Sequence, residues 1–125
     1  MAVAGRHHRG KMAYHAGLAA EDRIAQDYEG RGFAVARRRW RGKGGEIDLI
    51  MRDGNGLIFV EVKQARNFSN AAESLSRRQK DRIYRSAEEF LGQEPNGSLT
   101  EVRFDVALVD QRGDTRIIEN AFGHG

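Results

Sequence analysis

The chain contains no cysteine, which removes disulfides, thiolate zinc sites and cysteine nucleophiles together. No apolar run approaches the ~20 residues needed to span a bilayer. The opening stretch MAVAGRHHRGKMAYHAG is basic but lacks the apolar segment of a secretory leader. No internal repeat is visible. These absences describe a chain expected to be cytoplasmic and held together by one packed core. At 125 residues it has the usual size of one domain. The apolar fraction of 39% supplies one core, and the charged fraction of 31% implies a densely charged surface. The excess of positive charge is small, with 21 Lys and Arg against 18 Asp and Glu. Its distribution says more, because arginine dominates the clusters. The planar guanidinium fork matches phosphate with two parallel hydrogen bonds.

Residues 1–11 read as a flexible basic tail and residues 12–125 as one domain. His7, His8 and Arg9 lie in that tail and read as a solvated end. From about Met12 to Gly30 the spacing predicts a helix, with Tyr14, Leu18, Ala25 and Tyr28 on one stripe. Glu21 falls on the same stripe, an acid on a face that otherwise looks buried. Gly30 or Gly32 ends the helix. Strands are predicted over Phe33–Arg39, Gly45–Met51, Leu57–Lys63, Val102–Val109 and Thr115–Glu119. A second helix is predicted over Ala71–Leu91, with Leu75, Gln79, Ile83, Ala87 and Phe90 on one side. The second and third strands form an antiparallel hairpin around the turn cluster RDGNG. The order α-β-β-β-α-β-β predicts an α/β fold, a mixed sheet of about five strands flanked by helices. The third strand, second helix and fourth strand suit a right-handed parallel crossover.

The most β-prone segment carries acids where a buried strand would hold Val or Leu. Side chains alternate faces along a strand. Leu57, Phe59, Glu61 and Lys63 therefore share one face, and Ile58, Val60 and Val62 share the other. In the preceding strand Glu46 and Asp48 are expected on one face, opposite Ile47 and Leu49. An in-register hairpin brings Asp48 to Glu61. Two adjacent carboxylates repel unless one takes a proton or a cation intervenes. A Mg²⁺ or Mn²⁺ ion satisfies that need, since such ions prefer oxygen ligands and keep positions for water and phosphate. The competing reading is a solvated Glu-x-Lys face. Apolar neighbours on both faces of the third strand, and Glu21 as a third acid from a helix, weigh against it.

GEIDLI followed by FVEVK resembles the YraN, or UPF0102, family, which belongs to the restriction-endonuclease-like superfamily with core motif PD-(D/E)-x-K. The family is similar to archaeal Holliday-junction resolvases. The resemblance covers roughly Gly17 to Phe122. GLAAEDRIA resembles the first-helix motif with its Glu at Glu21, Asp48 matches the motif Asp, and EVK supplies Glu61 and Lys63. RRQK, with Arg78 and Gln79, resembles the family's basic/Gln segment, and RFDVALV its late strand. Three departures stand out. Ile47-Asp48 replaces Pro-Asp, two residues rather than one separate EVK from Arg66, and Arg78 stands where Lys is usual.

The resemblance implies a nuclease-like domain and metal-dependent hydrolysis of phosphodiesters in DNA, read by structure rather than by sequence. Expected metal ligands are Asp48, Glu61, the carbonyl of Val62, and Glu21 directly or through water. Lys63 is expected to hold the attacking water or offset developing charge. Gln79, on the inward stripe of the second helix, is expected to position substrate or water. Glu46 and Asp105 are weaker candidates, Asp105 being read first as the structural partner of Arg103. Arg37, Arg38, Arg39, Arg41 and Lys43 are expected to hold phosphates, together with Arg66 and Arg78. Trp40 is expected either to stack on a base or to serve the core or an interface. No membrane partner is expected, and a homodimer is left open. The alternatives are a non-catalytic nucleic-acid-binding module that retains the fold, and a protein-interaction domain whose basic surface serves solubility.

Overall fold

The structure, a computed structural model, describes residues 17–66, 68 and 75–122. The expected tail, with His7, His8 and Arg9, lies outside the described residues, as does the expected helical stretch before residue 17. Helix α1 occupies residues 17–30 of those described, followed by strands β1 (Ala34–Gly42), β2 (Gly45–Asp53) and β3 (Gly56–Gln64). Helix α2 (Arg77–Leu91) then leads through a short 3₁₀ turn (Gly97–Leu99) to β4 (Val102–Val109) and β5 (Thr115–Ile118).

The strands form one five-stranded sheet in the order β1-β2-β3-β4-β5. Pairing is antiparallel except between β3 and β4, which are parallel and joined through α2. The expected mixed α/β sheet flanked by two helices is what forms. Alternation on β3 sorts its side chains as predicted. Leu57 and Phe59 pack on the α2 side with Ile83, Ala87 and Phe90. Ile58 and Val60 pack on the α1 side with Ile24, Ala25 and Tyr28, and Val62 packs against that cluster. Being apolar on both faces, β3 is the buried centre of the sheet.

Several boundaries differ from expectation for local reasons. The strand β1 runs through the arginine-rich stretch to Gly42, because Trp40, Arg41 and Gly42 pair with Ile47, Glu46 and Gly45. The second helix begins at Arg77 rather than Ala71. Ser76 caps it, its hydroxyl accepting from the Gln79 amide at 3.1 Å while Gln79 Oε1 accepts from the Ser76 amide at 2.8 Å. This reciprocal box closes the helix start. Residues 71–74 of the expected helix lie outside the described residues. Gly32, with φ of +100°, makes the turn after α1, a conformation that glycine adopts without steric cost.

One departure from regular alternation shapes the site. Ile47 packs in the α2-side cluster and Leu49 in the α1-side cluster, so the two lie on opposite faces instead of sharing one. The regular alternation expected through Asp48 is therefore broken. Arg39, at φ +49°, sits opposite this point in β1, between the pairs Arg38 with Leu49 and Trp40 with Ile47. A left-handed residue inside a strand kinks the ladder. On the other side, the paired register of β2 with β3 reaches only Leu49 and Val60. Asp48 stands just beyond it.

Candidate active site

Leu57 and Ala65 donate their amides to the β4 side, to the carbonyls of Glu101 and Val109 at 2.9 Å each. Backbone groups alternate sides along a strand, so the amide and carbonyl of Val62 face β2. There the ladder has lost its backbone partner. The Val62 amide donates instead to Asp48 Oδ2 at 2.9 Å. That bond anchors Asp48 beside Glu61, as the hairpin reading anticipated.

Glu61 is buried, only 6% exposed. Its Oε2 has no hydrogen-bond partner among the described residues. Two ionised carboxylates cannot donate to each other, so the nearby Asp48 cannot satisfy Glu61 without a shared proton. Burial first, and the charge and hydrogen-bonding of Asp48 next, raise the Glu61 carboxyl to about 8, partly offset by Arg82 and Lys63. Arg82 Nη2 lies 3.7 Å from Glu61 Oε1. Lys63, half-buried one alternation further along β3, is close enough to act on Glu61 electrostatically.

Glu21 joins from α1. It is buried and accepts from Arg39 Nε at 2.8 Å. Burial raises its carboxyl above the ordinary range, Arg39 opposes that, and the charges of Asp48 and Glu46 add to it. The acids of α1, β2 and β3 thus face a common region. Among the described residues, no three acids or histidines converge tightly enough to hold a metal ion by themselves. Asp48 and Glu61 are neighbours, and the Val62 carbonyl faces the same side of β3 as the amide that holds Asp48.

The remaining candidates divide. Gln79 takes part in the cap of α2, where its amide oxygen accepts from the Ser76 amide. Glu46 lies 3.7 Å from Arg41. Asp105 is fully buried and structural, as first read. It accepts from Tyr28 Oη at 2.7 Å, from Arg103 Nε at 2.9 Å and from the Asn120 amide at 2.9 Å.

The arginine stretch does not present one phosphate-binding face. Arg38 pairs with Asp22 and Arg39 with Glu21, both toward α1. Arg37 donates to the neighbouring Ala36 carbonyl. Trp40 packs edge-on against Phe90 at 5.2 Å between centroids, at the margin of the core. Arg41, Lys43, Arg66 and Arg78 remain exposed. Alternation along β1 and acids arriving from another helix scatter what looked like a cluster in the sequence.

Arg82 was not among the expected site residues. The signal for it is present in RRQKDRIYR, where Arg78, Arg82 and Arg85 recur at helical spacing on one face.

The model of "Uncharacterised protein family UPF0102" matches residues 20–109. A UPF0102 protein of Ruegeria pomeroyi is 58% identical over 117 residues, covering 94% of this chain and 95% of that protein. One of Roseobacter denitrificans is 51% identical, covering 94% and 92%. One of Cereibacter sphaeroides is 58% identical, covering 90% and 97%. The match takes in Glu21 of α1, and Asp48, Glu61 and Lys63 together with the strands that carry them. This chain belongs to the UPF0102 family.

Proposed function

We propose that this chain is a metal-dependent endonuclease that hydrolyses phosphodiester bonds in DNA, with branched or otherwise structured DNA as its substrate class. The observation that carries the reading is the pairing of Asp48 with a buried Glu61 whose Oε2 lacks any donor among the described residues. A protein that merely binds phosphate gains nothing from two acids facing its ligand.

The residues fit Mg²⁺ or Mn²⁺. Such an ion is commonly held by one or two carboxylates, its other positions going to water and substrate phosphate. Asp48, Glu61 and the Val62 carbonyl would hold it, with Glu21 reaching it directly or through water. When bound, the ion supplies Lewis acidity and makes water a stronger nucleophile at neutral pH. The chain's own groups do the rest. The Val62 amide fixes the orientation of Asp48. Arg39 pairs with Glu21 and opposes the rise that burial imposes on its carboxyl. Lys63 presents an ammonium where it can hold the attacking water or offset charge on the phosphorane.

The test is Mn²⁺- or Mg²⁺-dependent cleavage across labelled junction, flap, nicked and single-stranded DNA, with RNA for comparison. Asp48→Asn and Glu61→Gln should each abolish it. Cleavage that survives both substitutions would place the chemistry elsewhere.

A non-catalytic nucleic-acid-binding module is the second reading. Two ion pairs favour it, Glu21 with Arg39 and Glu61 with Arg82, because they partly neutralise the acids without a metal. Undiminished DNA binding with no cleavage of any substrate would select it.

A further inference from the structure

Beside the acid pair, the first half of α2 and the β1–β2 turn enclose a pocket of about 510 Å³. It is lined by Gly44, Arg77, Arg78, Asp81, Arg82 and Arg85. Four guanidinium groups face one carboxylate, a local concentration of positive charge well above that of a chain with a net charge of only +3. Arg77 and Arg78 stand in the first turn of α2, which holds no acid. Cations there oppose the positive end of the helix dipole, and an anion would relieve that conflict. Arg82 lines the pocket while its Nη2 reaches to 3.7 Å from Glu61. Its Nε is buried with no hydrogen-bond partner among the described residues. The floor depends on glycine. A Cβ at Gly44 would lie 2.8 Å from Arg85 Cβ and 3.2 Å from the Ser86 amide nitrogen, so only a bare backbone lets the turn lie against the helix.

We propose that this pocket seats a phosphate of the nucleic-acid backbone, the group flanking the one presented to Asp48 and Glu61. Its relation to cleavage rests on the nuclease reading, but its capacity to bind a backbone phosphate does not. Arg77, Arg78 and Arg85 supply charge and hydrogen bonds from the exposed side. Arg82 joins the seat to the acid pair, so a strand that enters the pocket is aligned on the carboxylates. This location differs from the Arg37–Arg41 stretch, whose arginines largely serve acids of the fold.

The experiment is fluorescence anisotropy of a short labelled oligothymidylate in EDTA at several salt concentrations. Wild type is compared with Arg77→Gln/Arg85→Gln and with a control, Arg31→Gln/Arg116→Gln, which removes the same charge from exposed positions outside the pocket. The pocket variant should bind roughly tenfold more weakly or worse, and its salt slope should flatten by roughly one. The control should change affinity less than half as much on a logarithmic scale. Both pairs replace exposed side chains, and coincident melting curves establish that all three proteins are folded. Equal losses in the two variants, or no binding by wild type, would overturn the seat. Mn²⁺-dependent cleavage by wild type is read separately. If it is absent while the pocket variant still loses binding selectively, the seat stands and the nuclease reading falls.

Discussion

The amide of Val62 donates to the Asp48 carboxylate at 2.9 Å, from the residue that separates Glu61 from Lys63 in β3. One hydrogen bond therefore ties the acid of β2 to the Glu-x-Lys step of β3. It exists because the β2–β3 ladder stops at Leu49 and Val60, leaving the next inward-facing amide to a side chain. Asn at position 48 keeps an acceptor oxygen for that amide but removes the charge. Asp48→Asn should thus fold normally and lose whatever the charge does.

Metal should stabilise the folded chain. An ion that binds only the native state raises stability by mass action, about 2.7 kcal/mol at a hundredfold excess over Kd. Millimolar Mn²⁺ should raise Tm for the wild type. Asp48→Asn with Glu61→Gln should abolish the rise, as followed by thermal melting with and without EDTA. Identical wild-type curves would argue against a metal site formed in the absence of substrate.

Without metal, the raised Glu61 carboxyl makes stability depend on pH in a defined direction. The folded chain binds the Glu61 proton more tightly than the unfolded chain does, whose glutamates titrate at about 4.3. The stabilisation is fully present below that value and is lost as pH rises through the folded value of about 8. Metal-free Tm should therefore carry a component that falls from mildly acidic to alkaline pH, and Glu61→Gln should remove it. Metal, which needs the ionised carboxylate, should stabilise most at the alkaline end. A Glu61→Gln profile parallel to that of wild type would show that Glu61 titrates normally.

Arg39 should matter to the fold more than to DNA affinity. Arg39→Ala leaves the buried Glu21 without its 2.8 Å partner, a loss of about 1–3 kcal/mol. It also keeps a Cβ on a backbone held at φ +49°. Arg39→Gly loses the same ion pair but accepts that conformation freely, so it should cost less than Arg39→Ala. Chemical denaturation of both variants measures the difference. A large change in the salt dependence of DNA binding, with stability unchanged, would return Arg39 to the role of a phosphate contact.

Much of this architecture was legible in the sequence because it rests on local periodicity. Alternation along β3 sorted Leu57 and Phe59 from Ile58 and Val60, and the RDGNG turn fixed the hairpin that brings Asp48 toward Glu61. Other features depend on partners far away in the chain. The break in alternation at Asp48 lies opposite the left-handed backbone of Arg39, which composition does not announce. Arg38 and Arg39 look like a basic cluster until α1 brings Asp22 and Glu21 to them. Trp40 is claimed by Phe90, fifty residues later. Two signals were local and readable. Ser76 and Gln79 have the spacing of a capping box, which explains the helix start and the fate of Gln79. The helical repeat of Arg78, Arg82 and Arg85 marks the face of α2 that meets the site.

Lys63→Ala tests the proposed chemistry most directly, by single-turnover cleavage and binding measured on the same DNA with Mn²⁺. The substitution removes an ammonium near Glu61 but leaves Asp48, the Glu61 carboxylate and the α2 arginines in place. If Lys63 serves the transition state, cleavage should fall by roughly two to four orders of magnitude while binding changes little. Small, parallel losses in cleavage and binding would contradict a catalytic Lys63, and a wild-type chain that cleaves none of the junction, flap, nicked or single-stranded substrates would contradict the nuclease itself.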